Sequence, residues 1–303
     1  MTFIGIDGVV HHVVVDGSGP PCVLSPGLGM CWFDWDPVVP LLAADRTVVR
    51  FDRPGLGLSG HTRRWPTLGG EARRIAAVLD TLRLDGPVTL VGHSLAGFHA
   101  EAFARLFPGR AAGLVLVDSS VEEDPRPRRG RAVRDTATRA YATLVSAAGL
   151  PRVAGPPLRR AAVRAGRVGG QDPAPYDAVR RAYSTGRWLH AALAENATYT
   201  DQAVALAALR RRRPLPPGLP VTVLAADDPR RPAHRRARWL ARQRALATHL
   251  NGTLRVSSPS GHLLMLDHPQ DVAEAVLRTQ ARPPLAEEER ARLWPGVSGG
   301  GRS

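Results

Sequence analysis

The pattern of the 303-residue chain predicts an α/β protein with a mostly parallel sheet covered by helices on both faces. Three observations carry this expectation. Short apolar runs such as PCVLS, PVTLVG and GLVLVD are continuous rather than alternating, as strands buried on both faces require. Segments of helical spacing lie between such runs. Two of the runs lead into glycine-rich turns, SPGLG and GHSLAG, and a third, TVVRFD, leads into RPGLGLSG.

Taken in order, Ile4 and Ile6, then Asp7-Gly8, then Val9, Val10 and Val13 to Val15 read as a β-hairpin, because Asp-Gly suits the two positive-φ positions of a type I′ turn. A second Asp-Gly, Asp16-Gly17, ends it. Pro21 to Ser25 is a short buried strand, and Thr47 to Asp52 another. From Thr67 to Leu84 the spacing is helical, with Ile75, Val78, Leu79 and Leu82 on one face. Pro87 to Gly92 is a buried strand, Leu95 to Phe107 a helix stopped by Pro108-Gly109, and Gly113 to Asp118 a strand.

The alternation then breaks. Residues 120–218 are rich in Arg, Ala and Pro, with helical stretches and no strand-like run, and read as a helical insertion lying over the sheet as a lid. Strand character returns at Leu219 to Asp227, followed by a helix over Arg235 to Leu250, the strand TLRVSS and a helix from Pro269 to Thr279. The expected organisation is a core formed by 1–119 and 219–280, the insertion 120–218, and a tail 281–303 that is partly disordered.

The formal net charge is +14, and every one of the 41 basic residues is Arg. A nucleic-acid surface ordinarily mixes Lys with Arg and interleaves aromatics, so no nucleic-acid partner is expected. From Val121 to Leu215 there are 18 Arg against 8 acidic residues, which puts +10 of the charge in the insertion. These arginines read as a solvated surface, with an anionic substrate as the alternative. The start, MTFIGIDGVVHHVVVDG, has neither a basic n-region nor a long apolar h-region, and no apolar run approaches the ~18–20 residues of a membrane span. A cytoplasmic protein is expected. Cys22 and Cys31 fit no metal spacing and are expected to be reduced.

Chemistry gathers at GHSLAG. Ser94 stands between small residues, after a strand and before a helix, as a strained strand–turn–helix elbow requires. The alternative is that Ser94 merely caps the following helix. A hydroxyl needs a base, and His262 lies in the glycine-softened loop SSPSGH after the last strand. The base needs an orienting carboxylate. Asp228 is the first choice, Asp227 the second, and Asp118, at the end of GLVLVD, the third. The backbone amides of Leu28, in SPGLG, and Leu95, directly after the serine, are the expected oxyanion donors. Trp32, Phe33 and Trp188 are candidates to line a substrate pocket.

With PGLG, FDRPGLGLS, GHSLAG, GLVLVDSS and SGHLLMLDHP in place, the chain resembles the α/β-hydrolase superfamily over residues 5–280. The nucleophile–acid–histidine order is the superfamily's own. The resemblance implies an eight-stranded, mostly parallel sheet with flanking helices, a helical cap after the sixth strand, and no metal or organic cofactor. It also implies a serine hydrolase acting on a small or medium carboxylic ester, thioester or lactone. Carbon–carbon or amide hydrolysis, cofactor-free perhydrolysis, lyase activity and a non-catalytic small-molecule-binding member remain alternatives. Two departures from the superfamily pattern stand out. Pro26-Gly27 replaces the usual His-Gly of the oxyanion loop, and the segment before Asp227 lacks its usual glycine. The oligomeric state is not legible.

Overall fold

A computed structural model describes residues 1–279. The tail expected at 281–303 lies outside the described residues. Eight strands form one sheet: β1 (Thr2–Ile6), β2 (Val9–Asp16), β3 (Pro21–Ser25), β4 (Thr47–Phe51), β5 (Val88–His93), β6 (Ala111–Val117), β7 (Val221–Ala226) and β8 (Thr253–Ser257). Their spatial order is β1-β2-β4-β3-β5-β6-β7-β8. The first two strands form the antiparallel hairpin expected at Asp7-Gly8, with Ile6 opposite Val9 and φ of +50° and +76° at the two turn residues. β2 also pairs antiparallel with β4, and every pairing from β4 through β8 is parallel.

The helices are α1 (Val39–Leu42), α2 (Leu68–Thr81), α3 (Ala96–Leu106), α4 (Arg131–Ala147), α5 (Leu150–Gly166), α6 (Tyr176–Tyr183), α7 (Gly186–Arg212), α8 (Ala233–His249), α9 (Leu264–Asp267) and α10 (Pro269–Arg278). Successive strand residues point to opposite faces, and each face meets its own helices. Val23, Leu90 and Leu114 pack with Ile75 and Leu79 of α2, Phe103 of α3 and Leu246 of α8. Cys22, Leu24, Val91 and Val115 pack on the other side with Leu42 of α1 and Val272 and Val276 of α10. Burial on both faces explains why these strands read as continuous apolar runs.

Four helices, α4 to α7, lie between β6 and β7. The last of them is sewn into the core. Ala203 and Leu206 join the same apolar cluster as Phe98 and Phe103. His99 Nε2 contacts Gln202 Oε1 at 2.8 Å, and Arg210 donates to buried Glu101. Cys22 and Cys31 are buried free thiols. No helix among the described residues is long and apolar enough to cross a membrane.

Candidate active site

The turn after β5 is an elbow. Ser94 has φ of +53°, a left-handed conformation that a residue with a Cβ adopts only under constraint. The constraint is close packing. A Cβ at Gly92 would lie 2.5 Å from the Ala96 carbonyl oxygen, and one at Gly97 would strike the Ser119 hydroxyl. Both glycines are therefore required, and the G-x-S-x-A-G spacing is the one that fits. The Ser94 N–H donates to Val117 O of the next strand, and Ser94 O accepts from Gly97 N and Ser120 N. These bonds fasten the turn across the ends of β5 and β6 and into α3.

His262 lies beside this elbow. Its backbone carbonyl accepts from His93 Nε2 at 2.9 Å, and the His93 and His262 rings are 4.6 Å apart between centroids. Burial first, then the neighbouring His262, pushes the His93 pKa well below the usual imidazole value, so His93 is a neutral donor at physiological pH. The His262 loop is also gripped by Asp267, whose carboxylate accepts from Gly261 N, Val168 N and Arg167 Nε.

The carboxylate that meets His262 is Asp118. Its Oδ2 lies 2.6 Å from His262 Nδ1, while Oδ1 accepts from Ala226 N at 2.9 Å and from the Trp239 indole at 2.8 Å. Asp118 is buried, and its φ of +40° turns the side chain off the end of β6. This corrects the order of preference among the aspartates. Asp228 is held by Arg230 through two bonds of 2.8 Å, and Asp227 by Arg236 through two bonds of 2.7 Å. Those hydrogen bonds hold both carboxyl groups below the ordinary carboxylate pKa. Among the described residues neither forms a hydrogen bond or ion pair with His262.

Leu95 directly follows Ser94, and Leu28 lies in the turn after β3, the strand that pairs with β5. Among the described residues, neither backbone N–H is engaged by an acceptor. Leu95 also stands at the N-terminus of α3, where the helix dipole favours negative charge. The Ser94 hydroxyl likewise makes no hydrogen bond among the described residues, to His262 or to any other group.

The aromatic candidates separate. Trp32 and Phe33 are 6% and 4% exposed and stack in a cluster with Tyr183. Their rings pack against one another and against Tyr183. Trp188 is half-buried, and its indole donates to Gly29 O at 3.0 Å. Most of the inserted arginines are exposed, as a solvated surface requires, with Arg159 the buried exception. Arg159 is buried between Asp34 and Asp172. A cavity of about 390 Å³ at the seam between residues 61–65 and helices α4 and α7 is lined by His61, Trp65, Arg139 and His190, and not by Ser94 or His262. No cluster of three or more metal-ligating side chains occurs among the described residues.

Several residues that shape the site are not singled out by the sequence alone. His93, Arg53 and Asp267 sit inside the quoted motifs, which is the signal available for them. Trp239 and Glu195 lie in helices with no motif of their own.

Comparison with known proteins gives the family of the chain. The alpha/beta hydrolase family model matches residues 22–275. Over 118 residues the chain is 37% identical to a 2-hydroxy-6-oxo-2,4-heptadienoate hydrolase of Pseudomonas putida, covering 37% of this chain and 41% of that protein. It is 34% identical over 104 residues to a soluble epoxide hydrolase of a Corynebacterium species, covering 33% of this chain and 34% of the relative. The matched stretches thus span less than half the length of these curated relatives. Among solved structures, a thermophilic esterase from Thermogutta terrifontis superimposes with a TM-score of 0.65 at 23% identity, over 91% of this chain and 95% of the other. At that identity the likeness speaks to the fold.

Proposed function

Because this chain belongs to the alpha/beta hydrolase family, we propose that it is a serine hydrolase whose nucleophile, base and acid are Ser94, His262 and Asp118. The carrying observation is the 2.6 Å contact of His262 Nδ1 with Asp118 beside an elbow that holds Ser94 at φ +53°. With Nδ1 committed to the carboxylate, the imidazole keeps Nε2 as the atom that exchanges a proton with Ser94. Catalytic serine–histidine hydrogen bonds tighten in the bound complex, so the reading does not require the Ser94–His262 bond beforehand.

The substrate class is a small or medium carboxylic ester, thioester or lactone. His262 Nε2 takes the Ser94 proton as Oγ adds to the carbonyl carbon. The unengaged Leu28 and Leu95 amides receive the oxyanion. The bond to the alcohol breaks, and the alcohol leaves with the proton from His262. Water, deprotonated by the same imidazole, then adds to the acyl-enzyme, and the acid departs as Ser94 recovers its proton. Asp118 stabilises the imidazolium in each half. Trp188, beside the oxyanion loop, is retained as a pocket wall.

One observation favours a second reading. The Pseudomonas putida relative is named for a substrate with no ester bond, which hydrolysis can divide only at carbon–carbon. The same serine, base and oxyanion donors suit attack on a ketone carbonyl. Epoxide opening fits less well, because relatives of that activity use a carboxylate nucleophile where this chain has Ser94.

A fluorophosphonate probe tests the reading. It is expected to label Ser94, with labelling abolished in Ser94→Ala, and p-nitrophenyl acyl esters are expected to show a burst. Folded protein that takes no label would overturn the proposal and favour a non-catalytic binding member. A panel of esters, lactones and vinylogous 1,5-diketones then separates the two bond classes.

A further inference from the structure

The loop Pro26–Gly29, which carries the Leu28 amide, is held by residues outside itself. Arg53, on the turn after β4, donates from Nη1 to Pro26 O at 2.5 Å and from Nη2 to Gly27 O at 2.7 Å. The same guanidinium binds Glu195 of α7, Nε to Oε1 at 2.5 Å and Nη2 to Oε2 at 3.1 Å. Glu195 Oε2 in turn accepts from Gly29 N at 2.8 Å. Nearer the start of the same helix, the Trp188 indole donates to Gly29 O. The backbone polar groups of Pro26, Gly27 and Gly29 are thus bound on both sides of Leu28, and half of the ties come from the inserted helices.

Both charged side chains are buried, Arg53 at 3% and Glu195 at 5% side-chain exposure. Burial alone would lower the Arg53 pKa, but the adjoining Glu195 carboxylate more than compensates, so the guanidinium stays charged. A buried ion pair is weak evidence for stability, because well-packed apolar side chains often do as well. Its distinguishing property is directional: the contacts described above are hydrogen bonds that fix the angle of the loop backbone as well as its distance.

We propose that Arg53 and Glu195 are positioning residues for the oxyanion loop, so that α7 of the insertion is a structural part of the oxyanion hole rather than only a cover above it. The inference rests on the serine-hydrolase reading. It gives the inserted segment a second role, since any displacement of α7 away from the core withdraws Glu195 and Trp188 together and frees the Leu28 amide. Substrate binding that seats α7 and a correctly aimed oxyanion donor are then one event.

Glu195→Gln keeps the shape and drops the charge. Its expected effect is a 10- to 100-fold fall in kcat with KM within about threefold, part of the ~10²–10³ that loss of a whole oxyanion donor costs. A boronic acid inhibitor, which forms a tetrahedral adduct on Ser94, is expected to weaken by the same factor, whereas a ground-state product acid is not. Amide hydrogen exchange in the 26–30 segment is expected to speed up in the variant. Unchanged kcat and unchanged exchange in folded Glu195→Gln would overturn the proposal. Because one buried charge left alone can prevent folding, the double variant Arg53→Met/Glu195→Met provides the second arm. It is expected to fold and still show the kcat loss, and wild-type kcat in it overturns the proposal. Should neither fold, Trp188→Phe decides, with a several-fold fall in kcat and faster exchange expected. Failure of the serine-hydrolase reading is distinguishable, because it removes turnover and labelling from the wild type while the exchange measurement still scores the tether.

Discussion

The ends of β6 and β7 are neighbours in the sheet, run parallel, and each delivers aspartate to the same rim. Their fates differ because of what holds them. At β7, Asp227 and Asp228 are each taken by an arginine within nine residues, Arg236 and Arg230. At β6, Asp118 has no arginine partner among the described residues and is held by neutral donors, Ala226 N–H and the Trp239 indole. A carboxylate clamped by a guanidinium has its charge already answered. One oriented by neutral dipoles keeps its full charge for the imidazole. In a chain whose basic residues are all arginine, escaping an arginine is what makes an aspartate available to His262.

The largest expected effect breaks or secures that comparison directly. Asp118→Asn is expected to lower ester turnover by about 10⁴, the loss seen when the orienting carboxylate of a Ser-His-Asp system is neutralised. Asp228→Asn is expected to stay within about threefold of wild type at the same pH. Steady-state kinetics that reverse this order would return the acid to β7. A smaller effect sharpens the contrast. Trp239→Phe leaves Asp118 with one neutral donor fewer, and urea unfolding is expected to show a loss of about 1.5–3 kcal/mol, the range for a hydrogen bond to a charged group. Full stability in that variant would mean that Ala226 N–H alone suffices.

The smallest effect concerns β7. Arg230 is 40% exposed, so solvent screens its pair with Asp228, and Asp228→Asn is expected to cost under about 1 kcal/mol. The sign with pH is fixed by the direction of the shift. The hydrogen bonds from Arg230 lower the Asp228 pKa below its ordinary 3.8. The pair therefore contributes stability above about that pH and loses it as the pH falls through the lower folded value. Melting curves of wild type and Asp228→Asn are expected to differ at pH 7 and to converge in acid, once the pH lies below the lowered Asp228 pKa. A difference that persists in acid would show that the aspartate acts through its shape rather than its charge.

Much of this was legible from local pattern. The strands from Pro21 to Ala226 announce themselves because both faces are buried, and the elbow announces itself because only small residues fit around Ser94. His262 stands out in a loop after the last strand. The aspartate that meets it does not, since three aspartates stand at strand ends and nothing local ranks them. The surroundings of Trp32 and Phe33 were hidden for a related reason. Adjacency to the oxyanion loop in sequence says nothing of which way a ring turns, and both turn into a cluster with Tyr183.

The sequence by itself determined the class of sheet and the elbow, because these depend on periodicity and steric fit within a few residues. Only the tertiary structure decided which aspartate faces His262 and what holds the oxyanion loop. Those choices rest on contacts between side chains 121 to 144 positions apart, Trp239 and His262 on Asp118 and Glu195 on Arg53. Electrostatic partnership falls off over a few ångströms of space and takes no account of distance along the chain.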